Sequence, residues 1–226
     1  MSIRKTAANL GIKFLKSSIN ILGGSQATKI SAYLAEKIPP TITKSTKYGK
    51  IKIYCPGILP EWRAQTLLTK EPETIEWING FNGNDIFWDI GANVGSYSLY
   101  AALKGLTVWS FEPSPSNYYL LSRNIEINKM DDRISALCLA FNNTTKLDSL
   151  YMTMTQLGGS MNSFSEAVDW QGKPMLEFFK QATVGFTIDN FIEQFNLPIP
   201  NHIKIDVDGV EDKIIEGAAK TLANEK

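Results

Sequence analysis

The chain has 226 residues, 43% of them hydrophobic and 20% charged, the profile of an ordinary folded chain with enough apolar material for one buried core. Its formal net charge is zero, so there is no chain-wide basic field, and no nucleic-acid partner is expected. No run approaches the length of a membrane span.

The charge is uneven along the chain. Residues 1–60 hold ten Lys/Arg and one acid, Glu36, and the remainder holds 13 bases and 22 acids. Such a leader is a solvated arm, or a weak contact for an anionic membrane surface or an acidic partner. Lys13 and Lys16 interrupt the first apolar residues, so no signal-peptide core forms and the cytoplasm is the expected location. Ile3, Ala7, Leu10, Phe14 and Leu15 recur at helical spacing up to Gly23-Gly24, and a second helix is predicted from about Ser25 to Ile38, before Pro39-Pro40. "TITKSTKYGKIKIYC" alternates about Tyr48-Gly49 and predicts a hairpin. "PEWRAQTLL" and "EPETIEWINGF" predict helices, the second with Pro72 in its first turn.

From Ile86 the pattern becomes strand–helix alternation. Strands are predicted at 86–90, 107–111 and 134–140, with helices at 96–104 and 116–127. Residues 141–183 are polar and contain glycine, with a strand near 147–154, a turn at "QLGGSMNS" and a helix near 175–181. A helix at 188–195, the strand "HIKIDV" and the helix "EDKIIEGAAKTLANEK" close the chain. The alternation predicts an α/β fold, a parallel sheet with helices on both faces. Cys55 and Cys138 lack metal or disulfide spacing and read as buried, inert thiols.

The chemistry concentrates at strand ends. "IFWDIGANVGSYSLY" ends a strand on Asp89 and turns on Gly91 and Gly95, with Asn93 where a dinucleotide fingerprint has its middle glycine. A carboxylate there repels a diphosphate and suits a cationic ligand, such as the sulfonium and ammonium of S-adenosylmethionine. Glu112, ending "VWSFE", sits where a carboxylate accepts bonds from both ribose hydroxyls. NAD would use the same acid, so Glu112 alone does not separate the two cofactors.

"EPETIEWI", "FWDIGANVGSYSLYAA", "VWSFEPSPSNYYLLSRNIEIN", "TIDNFI" and "HIKIDVDGVEDKIIEGA" resemble the successive motifs of the FkbM-type S-adenosylmethionine-dependent methyltransferases. The resemblance spans about residues 61–226 and leaves 1–60 as a basic helical and hairpin extension. It implies a Rossmann-like sheet, S-adenosylmethionine as cofactor, and methyl transfer to an oxygen of a saccharide or natural-product acceptor. In that pattern Asp89, Gly91, Asn93 and Gly95 cradle the methionine part, Glu112 the ribose, and Asn142 replaces an aspartate near the adenine. Glu71 and Thr74 match a family position before the first strand that offers a pocket contact, and a helix-start Glu beside Pro72 is the plain alternative.

"KIDVDGVE" places Asp206, Asp208 and Glu211 at the end of the strand expected beside the first. Asp206 is the leading candidate for the reacting centre and for a general base, and Glu211 the next. No histidine joins them, and no metal is expected. His202, the sole histidine, reads as a strand-edge residue. Asp189-Asn190 is a candidate cap for the helix that follows, and Trp88 and Trp109 read as core. The family's sheet continues beyond the fourth strand, so this reading expects a C-terminally incomplete domain whose open "HIKIDV" edge invites oligomers. The functional alternative is a remnant that binds cofactor or a protein partner without catalysis.

Overall fold

The computed structural model describes residues 3–169 and 171–224. The chain divides into two compact units, Met1–Pro40 and Thr41–Lys226. The first is a helix pair, α1 (Ile3–Asn20) and α2 (Gly24–Lys37). The chain turns between them at Gly23, whose φ of 74° lies in the left-handed region that glycine enters without strain. Leu10 and Phe14 of α1 are exposed.

The second unit opens with the hairpin β1 (Thr41–Thr46) and β2 (Gly49–Tyr54), followed by α3 (Ile58–Thr66) and α4 (Pro72–Asn79). The central elements are β3 (Ile86–Ile90), α5 (Ser96–Lys104), β4 (Thr107–Phe111), α6 (Pro115–Asn128) and β5 (Ile134–Leu137). Next come β6 (Ala140–Phe141), β7 (Lys146–Met152), β8 (Asn162–Phe164) and β9 (Phe179–Phe186). The unit closes with α7 (Ile188–Phe195), β10 (His202–Ile205), α8 (Glu211–Glu216) and α9 (Ala219–Leu222).

Four parallel strands form a sheet in the order β10-β3-β4-β5. The α/β fold expected from the alternation is the one observed. Alternate β3 side chains serve opposite faces, as the pleat requires. Phe87 packs with Leu99, Val108 and Leu121 on one face, and Trp88 packs with Phe111, Phe141 and Phe191 on the other. Trp109 packs against this second cluster. Ile51 and Ile53 of the hairpin are fully buried in the first cluster, so the hairpin belongs to the sheet's own core. The chain moves from β3 to β4 to β5 on one side and returns through β10 on the other. That reversal opens a crevice at the carboxyl ends of β3 and β10.

Several local expectations are corrected. The strand expected at 134–140 splits after Leu137, because β5 and β6 belong to different sheets. Residues 179–186 form strand β9, where a helix was expected near 175–181. They pair antiparallel with all of β7, from Met152↔Phe179 to Lys146↔Gly185. Leu176 and Phe178, within the stretch expected to be helical, are exposed. A second sheet, β6-β9-β7-β8, therefore stands where one strand, a turn and a helix are expected from the sequence. The closing helix breaks at Gly217, where an added Cβ would lie 2.3 Å from the Asn142 carbonyl oxygen. The last two residues of that predicted helix lie outside the described residues. Cys55 is buried as expected, but Cys138 is exposed, at the jump between β5 and β6.

Candidate functional site

The turn after β3 is shaped by backbone that only small or amide-bearing residues tolerate. Gly91, Asn93 and Gly95 all have positive φ, at 81°, 51° and 83°. The Gly91 and Ala92 amides donate to the Phe111 carbonyl at 2.9 and 3.0 Å, tying the turn to the end of β4. A Cβ at Gly91 would stand 2.0 Å from the Asp206 carbonyl oxygen, so the close approach of the β10 end requires glycine. A Cβ at Gly95 would meet Leu121 Cδ1 at 2.5 Å. Gly95 thus serves the packing of α5 on α6.

Beside this turn lies a cleft of about 190 Å³. Gly91, Asn93, Glu112 and Asp206 line it, together with Arg63 and Asp208. Glu112 is buried. The Asn93 amide donates to its Oε2 at 2.8 Å and the Ser114 amide to its Oε1 at 2.9 Å. Burial pushes its carboxyl up to about 7, against the pull of those two amides and of the Arg63 guanidinium. Each oxygen retains acceptor capacity toward a donor entering the cleft.

Asp89 stands behind the wall. Ser98 Oγ donates to its Oδ2 at 2.6 Å, and Ser110 Oγ donates to Ser98 in turn. Among the described residues, its buried Oδ1 has no hydrogen-bond partner. Lys204 Nζ lies 3.8 Å from that atom and 2.9 Å from Asp206 Oδ2. Burial raises the Asp89 carboxyl, with Lys204 and Ser98 opposing it. For Asp206, burial would raise the carboxyl, but Lys204, together with Lys70 and Arg63, holds it below its ordinary range. Lys204 is a nearly buried cation shared by two acids, which counters the repulsion that Asp89 alone would offer an anion.

Asp208 differs from Asp206. It sits at φ 62°, a strained setting for a non-glycine residue, and its Oδ2 accepts from the Met161 amide at 2.7 Å. Burial raises its carboxyl, and Asp206 and Glu211 push the same way. Glu211 turns inward to accept from the Val207 and Gly209 amides at 3.3 and 3.0 Å, so it braces the 206–211 loop from within. Glu71 also lies outside the cleft wall. It pairs with Lys70 at 2.5 Å and bonds Thr74, next to the cleft that Lys70 lines. Among the described residues, no three His, Cys, Asp or Glu side chains converge as metal ligands.

Asn142 is buried but does not line the cleft. Its Oδ1 accepts from the Asn143 amide at 2.7 Å, and its Nδ2 is buried with no partner among the described residues. His202 has the strand-edge setting read from the sequence. Its Nε2 is 2.9 Å from Asp85 Oδ2, and its ring stacks on Phe81. Asp189 caps α9 instead of its own helix, accepting from the Lys220 and Thr221 amides at 2.9 Å, while Thr187 caps α7.

The β7–β8 loop closes the cleft from outside. Asn93 Nδ2 and Asn117 Nδ2 both donate to the Gly159 carbonyl, at 2.7 and 2.9 Å. Arg63 Nε donates to the Gly158 carbonyl at 2.8 Å, and the Gly158 amide donates to Asn117 Oδ1 at 2.9 Å. The glycines of "QLGGSMNS" lie in the β7–β8 hairpin loop, and Gly159 also lines the cleft. Arg63, Asn117 and Asn162 all line it, although sequence reasoning did not select them. Asn117, near the start of α6 in "PSPSN", carried a faint signal, and Arg63 carried none.

The methyltransferase FkbM domain matches residues 89–225. A curated relative, the hexuronic acid methyltransferase AglP of Haloferax volcanii, is 24% identical over 169 residues, covering 71% of this chain and 61% of that protein. The chain thus spans about three fifths of that relative's length. A solved FkbM methyltransferase from Methylobacillus flagellatus KT is 19% identical, with a TM-score of 0.42 over 63% of this chain and 31% of that one. A precorrin-6y C5,15-methyltransferase from Geobacter metallireducens GS-15 is 14% identical, with a TM-score of 0.41 over 71% of this chain and 62% of that one.

Proposed function

The chain belongs to the FkbM methyltransferase family, and from that premise we propose that it transfers the methyl group of S-adenosylmethionine to a hydroxyl oxygen of a saccharide or natural-product acceptor. The observation that carries this reading is Glu112. It is a buried carboxylate at the end of β4, fixed by two backbone amides and facing the cleft beside the Gly91 turn.

The residues fit the cofactor. A ribose diol offers two donors, and Glu112 offers two oxygens. Gly91 lines the cleft, and Asn93 Oδ1, on the same turn, is a buried acceptor without a partner among the described residues. Arg63 and Lys70 line the same cleft and suit the carboxylate of the methionine part. When bound, the cofactor supplies the electrophilic methyl carbon.

The protein's own task is to hold the acceptor in line and take its proton. Asp206, kept ionised by Lys204, is suited to accepting a hydrogen bond and fixing orientation. Asp208, with a raised carboxyl and one oxygen outside the Met161 bond, is the better-placed base. This assignment moves the base from Asp206, the leading candidate on sequence, to its neighbour. Glu211 positions both by bracing their loop.

Two measurements test the reading. Calorimetry with S-adenosylhomocysteine and NAD should show binding of the first alone, and NAD binding without S-adenosylhomocysteine would refute the cofactor assignment. Transfer of labelled methyl from S-adenosylmethionine to a saccharide panel should label an ether oxygen. Labelling confined to nitrogen or carbon acceptors would refute O-methylation.

A further inference from the structure

We infer that Asn162 on β8, and not Asn142, reads the amino edge of the cofactor's adenine; the inference rests on the S-adenosylmethionine reading. With ribose at Glu112 and the methionine part over Gly91, the base is left the inner part of the cleft. Its walls there include Phe111, Pro113, Leu139, Phe141, Leu150 and Phe164, a set of flat and aliphatic surfaces suited to a purine face.

A purine in such a slot needs a polar partner at its edge. The Asn117 amide bonds the Gly158–Gly159 backbone at both ends and lies against Glu112, at the ribose end. Asn93 has a free Oδ1, but it sits on the turn whose amide binds Glu112, at the ribose end. Asn162 remains. It lines the cleft, its Oδ1 is buried, and that oxygen has no partner among the described residues. It lies two residues from Phe164 on the same face of β8, directly opposite Met152 of β7.

An unpaired buried acceptor is costly unless a ligand supplies the donor. A carboxamide presents acceptor and donor side by side, and adenine presents its 6-amino group beside a ring nitrogen in the complementary order. Asn142 cannot serve this way from outside the cleft wall. Its place in the chain matched the family pattern, but its backbone is held against Gly217.

The test is calorimetry with S-adenosylhomocysteine and its analogue in which hydrogen replaces the 6-amino group. The wild-type chain should prefer S-adenosylhomocysteine by about 10–50-fold, because the analogue leaves Oδ1 unpaired. Asn162→Leu should bring the two ligands within about threefold of each other, and Asn142→Ala should leave the preference intact. Asn162→Ser provides a second probe that fills less space, with folding of each variant checked by thermal melting. A preference that survives in a folded Asn162 variant, or that vanishes in Asn142→Ala, overturns the assignment. If the wild-type chain does not bind S-adenosylhomocysteine, the cofactor reading itself falls, an outcome distinct from lost discrimination.

Discussion

Gly91→Ala should destabilise the fold far more than Gly95→Ala, although both glycines sit in one motif at nearly the same φ. At Gly91 the added Cβ would lie 2.0 Å from the Asp206 carbonyl oxygen, 2.8 Å from its carbon and 3.2 Å from Val207 Cγ1. A carbon–oxygen contact relaxes only beyond roughly 3.3 Å, so the backbone after β10 would have to retreat by more than an ångström. That retreat pulls on the Asp206 amide, which donates to the Ile90 carbonyl at 3.0 Å and closes the β3–β10 ladder. The left-handed backbone adds about 1–2 kcal/mol for any L side chain, and overpacking against backbone adds about 1–3 kcal/mol. The expected loss is about 2–5 kcal/mol. At Gly95 the obstruction is Leu121 Cδ1, the tip of a side chain that can turn away, so the backbone strain dominates and about 1–2 kcal/mol is expected. Urea unfolding of the two variants and the wild-type chain, read as midpoint shifts at constant slope, measures both. If Gly91→Ala costs less than 1 kcal/mol, or no more than Gly95→Ala, the close approach of the two strand ends is wrong.

Glu112 should make the protein pH-sensitive in two opposed ways. Its folded-state value of about 7 lies above the unfolded 4.5, so the native state binds the extra proton and stability falls as pH rises from 4.5 to 7. The loss is at most about 3 kcal/mol, and Glu112→Gln should abolish that slope in pH-dependent urea melts. Cofactor affinity should move the other way, tightening as the carboxylate ionises through about pH 7, and the Gln variant should be flat in calorimetry. Asp208→Asn should lower turnover by about two to four orders of magnitude with S-adenosylhomocysteine affinity within threefold of wild type; full activity there, with loss in Asp206→Asn, would return the base to Asp206. Asn117→Ala leaves the Gly158 amide without its partner and the Gly159 carbonyl with Asn93 alone, and should cost about 1–3 kcal/mol in urea.

The central βαβ unit was legible in the sequence because its signals are local and redundant. Ile86–Ile90 is an apolar run, two glycines bend the chain after Asp89, and the next strand ends on an acid. The helix-pair break at Gly23-Gly24 and the Tyr48-Gly49 hairpin were legible for the same reason. The second sheet was not. The β7–β9 pairing joins Met152 to Phe179 across a stretch of mostly polar residues that carries no local signal of its partner. Glu112, Gly91 and Asn93 reach the cleft as their strand-end positions suggested. Asp89 and Glu211 do not, because one is engaged by Ser98 behind the wall and the other by its own loop amides. The raised carboxyl of Asp208 follows from its burial beside Asp206 and Glu211, and the depressed one of Asp206 from the cations around it, Lys204 first, all of which only the folded chain brings together. Arg63, Asn117 and Asn162 come from three separate elements, and only folding places them around one cavity.

The account rests most directly on whether the Glu112 cleft is the cofactor site, and one titration decides it. S-adenosylhomocysteine titrated into the wild-type chain and into Glu112→Ala should bind both, with the variant weaker by about 2–4 kcal/mol for two lost bonds to a charged acceptor. Equal dissociation constants for the two proteins would place the ligand elsewhere and contradict the account.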